Sequence, residues 1–90
     1  MARRRRLRAV RVVLITRAGC HLCEDALGLL RDRGIEPELA DVDADDSLFD
    51  LYDWRVPVLL VDGEPVAEGH ITRERLAETF GRSGRALGPS

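Results

Sequence analysis

Apolar residues come in short bursts along this chain, and the spacing inside each burst separates strands from helices. Val12, Val13, Leu14 and Ile15 stand in succession within Val10–Thr16, a strand-length run. Its lack of alternation predicts burial on both faces, as in a central strand under helices. Arg17-Ala18-Gly19 reads as a turn, with Gly19 allowing a tight approach just before the next element. From about His21 to Arg33, Leu22, Ala26, Leu27, Leu29 and Leu30 fall at helical spacing. Glu24 and Asp25 sit in that first turn, where the helix dipole favours acids, and Gly34 is a natural stop.

Glu36–Asp43 reads as a second strand, and Pro37 with its interleaved acids puts it at a sheet edge. Asp45 and Asp46 are N-cap candidates for a short helix to about Asp53, with Leu48, Phe49, Leu51 and Tyr52 as its apolar surface. Pro57 opens the apolar run Val58-Leu59-Leu60-Val61. The Asp62-Gly63 pair then predicts a two-residue type I′ turn into a partner strand over Glu64–Glu68. Thr72 can cap a last helix with Ile71, Leu76, Ala77 and Phe80 facing inward and Gly81 ending it. The order is β-α-β-α-β-β-α: an α/β fold with a four-stranded mixed sheet between helices. The crossover between the first two strands gives a parallel pair, the hairpin an antiparallel one, and helices must cover both faces.

Composition narrows the classes. Ninety residues, 44% hydrophobic and 33% charged, describe one small globular domain without room for a separate substrate domain. No stretch approaches the roughly 20 apolar residues needed to span a bilayer, so no membrane association is expected. All 14 basic residues are Arg, and the net charge of −2 hides an asymmetry. Residues 1–17 hold seven Arg and no acid; residues 35–54 hold eight acids and no base. Arg3-Arg4-Arg5-Arg6 is not followed by the uninterrupted apolar stretch of a secretory signal, because Arg8 and Arg11 intervene. It is expected to be a solvated tail over residues 1–8, paired with a flexible tail over 82–90. Nucleic-acid binding is not expected. A cytoplasmic location follows as the expectation, and in a reducing compartment two close cysteines are more often catalytic or metal-binding than structural.

The only cysteines are Cys20 and Cys23, placed where the first strand hands over to the first helix. Residues three apart share a helix face, close enough for their sulfurs to bond. A helix N-terminus favours a thiolate over a thiol. The spacing therefore fits a dithiol that cycles by thiol–disulfide exchange. A structural disulfide, a zinc site using Cys20, Cys23, His21, His70 and carboxylates, and an iron–sulfur cluster bridging two chains stand as the other readings.

The segment from Ile15 through Cys23, the Tyr52-Asp53-Trp54-Arg55-Val56-Pro57-Val58 run, and Asp62-Gly63 before Gly69 resemble the thioredoxin superfamily, and within it the glutaredoxin-like branch. The resemblance covers about residues 9–81 by element order as well as motif, and implies a thioredoxin-like fold. It implies that Cys20 is the nucleophile and Cys23 the resolving thiol. It also implies that Pro57 is cis and lies opposite the pair, with the Val56 backbone pairing with substrate. Arg17 resembles the basic residue that glutaredoxins place before the cysteines, and Arg55 approaches from the other side. Both would lower the Cys20 pKa, while Glu24 and Asp25 oppose this; the expected pKa is lowered without being extreme.

Departures from the family pattern bear on the substrate. His21 and Leu22 replace the usual proline and aromatic, and Leu14 stands where thioredoxins carry a buried acid. Glu68-Gly69 replaces a double glycine, and His70-Ile71-Thr72 the polar pair after it. Arg17, His21, Leu22, Arg55, Val56, Pro57, Gly69 and His70 form the expected substrate- or thiol-binding set. No tightly bound cofactor or metal is expected. Glutathione or another low-molecular-weight thiol is the candidate co-substrate, and a disulfide-bearing protein or small molecule the partner, with a thiol or a reductase as electron donor. A monomer is expected. A metal- or cluster-binding module and a redox-sensing adaptor are the alternative functions. Trp54 either lines a substrate groove or packs, Tyr52 packs at least as readily, and Asp41, Asp43, Asp45 and Asp46 read as strand-end and capping residues without the pattern of a calcium loop.

Overall fold

A computed structural model describes residues 10–81 and carries four strands and three helices. Strand β1 (Val12–Thr16) leads into helix α1 (His21–Asp32), followed by strand β2 (Glu38–Asp41), a 3-10 turn (Val42–Ala44) and helix α2 (Asp46–Tyr52). Strands β3 (Val58–Val61) and β4 (Glu64–Glu68) form the hairpin, and helix α3 (Arg73–Phe80) closes the domain. The sheet order is β2-β1-β3-β4, with β1 parallel to β2 and antiparallel to β3, and β3 antiparallel to β4. This is the expected mixed α/β architecture. The expectations for an Arg-rich tail and a loose C-terminal tail concern residues outside 10–81.

Two strand boundaries differ from the pattern-based ones, for local reasons. Strand β1 starts at Val12. Arg11 precedes it and exchanges hydrogen bonds with the hairpin turn: its N–H donates to Asp62 Oδ1 (2.9 Å) and its carbonyl accepts from the Asp62 N–H (2.8 Å). Strand β2 is shorter than Glu36–Asp43. Pro37 brings no N–H to a ladder, and Asp41 accepts from the Asp43 N–H at 2.9 Å, turning the chain into the 3-10 segment. The hairpin turn has the left-handed backbone its sequence implies, with φ of 52° at Asp62 and 85° at Gly63.

Alternation along the central strands sorts the core into two layers. Leu14 of β1 pairs with Leu59 of β3, and both pack with Ala26 and Leu30 of α1 and with Ile71 and Leu76 at α3. The next pair, Ile15 and Val58, faces the other way, against Val42 and the half-buried Leu48 and Tyr52 of α2. Helices α1 and α3 thus cover one face and α2 the other. Helix α2 buries only part of the apolar surface its sequence supplies: Phe49 and Leu51 are exposed. Seven residues is less than two full turns, so one narrow stripe, Leu48 and Tyr52, can reach the core.

Candidate active site

Cys20 is the N-cap of α1, with an extended backbone, and its Sγ accepts a hydrogen bond from the Cys23 N–H at 3.1 Å. The same turn is tied from behind, where the Cys20 N–H donates to the Arg17 carbonyl (3.2 Å). Cys20 and Cys23 are joined as a disulfide with their Cα atoms 5.2 Å apart. Their environments differ. Cys23 is 3% exposed on the buried side of α1, whereas Cys20 is half-buried at the helix start, beside exposed His21 and Leu22. Cys20 Sγ therefore faces the unpaired amides and positive dipole end of a 12-residue helix, the arrangement that favours a thiolate on reduction.

The register of the sheet brings the proline segment to the same end. Ile15 pairs with Val58, so Val56 and Pro57 lie level with the turn that follows β1. The Val56–Pro57 peptide bond is cis. Gly69, at the end of β4, fastens this segment: its N–H is shared between the carbonyls of Pro57 (2.8 Å) and Arg55 (3.2 Å). Its φ of 69° is a conformation that side-chain-bearing residues rarely adopt. Among the described residues the Val56 backbone has no backbone hydrogen-bond partner.

Neither arginine offers a free charge to the sulfurs. The Arg17 guanidinium holds both carboxylate oxygens of Asp43 (2.9 and 2.8 Å), the Asp53 carboxylate (2.7 Å) and the Asp53 carbonyl (3.2 Å). These bonds, Asp43 first, raise the Arg17 pKa above its ordinary value, and Arg17 in turn holds the Asp43 carboxyl below its own. Arg55 is bound to Glu68 Oε1 (2.6 and 3.0 Å) and to the Leu51 carbonyl (3.2 Å), over the Tyr52 ring. That bond keeps Glu68 low and Arg55 high. Both guanidiniums expected to act on the Cys20 thiol are thus engaged by carboxylates.

The clamp residues Asp43, Asp53 and Glu68 were not candidates from sequence. Asp43 and Asp53 stand 26 and 36 residues from Arg17, and only the fold brings them together. Asp41 and Asp45 are local caps, Asp45 accepting from the Ser47 (2.9 Å) and Leu48 (3.1 Å) N–H groups. No group of three or more His, Cys, Asp and Glu side chains converges as a metal set among the described residues, and exposed His21 and His70 add no ligand to the cysteines. His70 borders an open groove of about 610 Å³ that runs along α1 from Glu24 to Asp32 against the start of α3, lined also by Asp25 and Gly28. Trp54 is 86% exposed, which excludes the packing role, and Tyr52 is half-buried against α2's side of the core.

Residues 11–81 match the family model described as Glutaredoxin-like domain (DUF836). Solved structures share the fold. The solution NMR structure of protein Ne2328 from Nitrosomonas europaea has 26% sequence identity and a TM-score of 0.65, over 78% of this chain and 89% of that one. The X-ray structure of protein XcR50 from X. campestris has 28% identity and a TM-score of 0.66, over 77% of this chain and 93% of that one. No curated protein matches the chain.

Proposed function

The chain belongs to the Glutaredoxin-like domain family, and from that premise we propose that it is a small thiol–disulfide oxidoreductase in which Cys20 attacks and Cys23 resolves. One observation carries the division of roles: Cys20, half-buried, is the N-cap whose Sγ receives the Cys23 N–H at 3.1 Å, while Cys23 is 3% exposed. The accessible sulfur with the stabilised anion is the one that meets an incoming disulfide.

The exchange has two steps. The Cys20 thiolate attacks one substrate sulfur, forming an intermolecular disulfide as the substrate S–S bond breaks, and the departing sulfur leaves as a thiolate that takes up a proton. Cys23 then loses its proton and attacks Cys20 Sγ, forming the 20–23 disulfide and releasing the second substrate sulfur as a thiolate. Two electrons and two protons pass to the substrate. Two equivalents of a low-molecular-weight thiol, glutathione or another, or one of a dithiol reductase, return the pair to its reduced form. Val56 offers its unpartnered backbone to the substrate chain beside the cysteines, and Gly69 holds that backbone in place. The reading belongs to a compartment that keeps thiols reduced, the cytoplasm.

The test uses two variants and a small disulfide substrate. Cys20→Ser should lose disulfide reduction altogether, whereas Cys23→Ser should still react and stall as a mixed disulfide visible by intact mass. Full turnover in Cys20→Ser would end the proposal.

A further inference from the structure

The surface around the cysteine pair is at once apolar and acidic. We propose that the disulfide it acts on belongs to a polypeptide segment carrying apolar and basic residues beside its cysteine, in preference to glutathione. The inference rests on the thiol–disulfide reading of Cys20 and Cys23 above.

The apolar part is linked to the sulfurs by a short chain of contacts. Leu22, 41% exposed, lies between the two cysteines in sequence. The Arg17 carbonyl holds the Cys20 N–H, and the Arg17 guanidinium holds Asp53, the residue before Trp54. The same guanidinium lies 5.9 Å from the ring centre of Phe49, which is also exposed. Phe49 thus lies against the arginine that anchors the active-site turn, Trp54 follows the carboxylate that arginine holds, and Leu22 follows Cys20 and His21 in the first turn of α1; all three are exposed. A tripeptide as polar as glutathione has nothing to set against these side chains. A flanking apolar residue does, and it would gain most by covering Trp54, the most exposed large apolar side chain of the described residues.

The charges select in the same direction. Glutathione has two carboxylates against one ammonium, so a site for it needs cations free to receive them. Arg17 and Arg55 are already bound by Asp43, Asp53 and Glu68. Glu24 and Asp25, exposed just after Cys23, line the groove beside His70, whose far end carries Asp32, Glu74 and Arg73. Next to the pair along α1, Glu24 and Asp25 are exposed carboxylates, while Arg17 and Arg55 are both paired with carboxylates. Such a field repels an anionic tripeptide and draws in a segment bearing Arg or Lys. The Val56 amide and carbonyl, free of backbone partners among the described residues, suit an extended chain.

Rapid-mixing kinetics of the reduced full chain test this. The probes are 2-hydroxyethyl disulfide, oxidised glutathione, and two peptides whose single cysteine is a mixed disulfide with 2-mercaptoethanol, one flanked by Leu and Arg, the other by Ser and Glu. Released thiol is measured after acid quenching. At low salt the Leu/Arg peptide should react roughly 10-fold faster than the Ser/Glu peptide and faster than oxidised glutathione. The ratio should shrink as salt rises. Trp54→Ala and the double variant Glu24→Gln/Asp25→Asn should each lower the ratio between the two peptides. Equal rates for the peptides, or oxidised glutathione outrunning the Leu/Arg peptide, would overturn the proposal and leave the oxidoreductase reading intact. No reaction with any probe, 2-hydroxyethyl disulfide included, would overturn both.

Discussion

Arg17 does several things through one planar group. It spans Asp43, Asp53 and the ring of Phe49, joining the turn before Cys20 to the segment before Val56. A lysine could not make this set of contacts, because its ammonium lacks the fork that meets Asp43 through two parallel bonds. Releasing the clamp should free positive charge next to the sulfurs. In Asp43→Asn the rate with oxidised glutathione should rise about 2- to 5-fold at low salt, the range that exposed ion pairs of roughly 0.5–1 kcal/mol produce. Stopped-flow rates at two ionic strengths check this, since an electrostatic gain must fade with salt. Gly69 matters through its backbone. Gly69→Ala puts a Cβ on a left-handed backbone and should lower stability by about 1 kcal/mol, read as a shifted denaturant midpoint. The added Cβ meets no atom within 4 Å, so the cost is conformational and not a clash.

At the level of elements, the site depends on helix starts and on two central strands. Helix α3 begins at Thr72, whose hydroxyl accepts from the Arg75 N–H at 3.1 Å. Thr72→Ala should cost about 1 kcal/mol in chemical denaturation, and Thr72→Asp should recover most of it, because either side chain can accept that amide. Strand β3 contributes core residues to both faces of the sheet. Leu59 is fully buried between β1 and the two helices on that face, so Leu59→Ala should cost roughly 2–5 kcal/mol. That is a large part of what a domain this small has, and the variant should show an incomplete folding baseline at room temperature. Helix α2 differs from its neighbours. With Phe49 and Leu51 in water it is held by the Asp45 cap, by Leu48 and Tyr52, and by the Arg17 contacts that also serve the site.

At the scale of the whole molecule, surface ion pairs make stability depend on pH in a definite direction. Glu36, Glu38, Asp43 and Glu68 are each held below their ordinary pKa by an arginine, and Asp45 by its hydrogen bonds to Ser47 and the Leu48 amide. A group lowered on folding contributes stability that is present above its unfolded pKa and lost as pH falls through its folded one. Urea midpoints should therefore fall as pH drops below about 4.5 and keep falling below the ordinary carboxylate range, with added salt flattening the slope. The element order, the strand faces and the cysteine pair were readable from sequence, since each depends on residues close together in the chain: the Val12–Ile15 run, the Asp62-Gly63 turn, the Thr72 and Asp45 caps, the two-residue gap between Cys20 and Cys23. What sequence could not show was where the charges go. Arg17 and Arg55 read as free cations, yet Asp43, Asp53 and Glu68 reach them across strands and loops. Such pairings depend on sheet order and register, which bring distant positions within a hydrogen bond's length and have no period or motif in the chain. The dithiol was a property of the sequence; the carboxylates that bind Arg17 and Arg55 beside it belong to the tertiary structure.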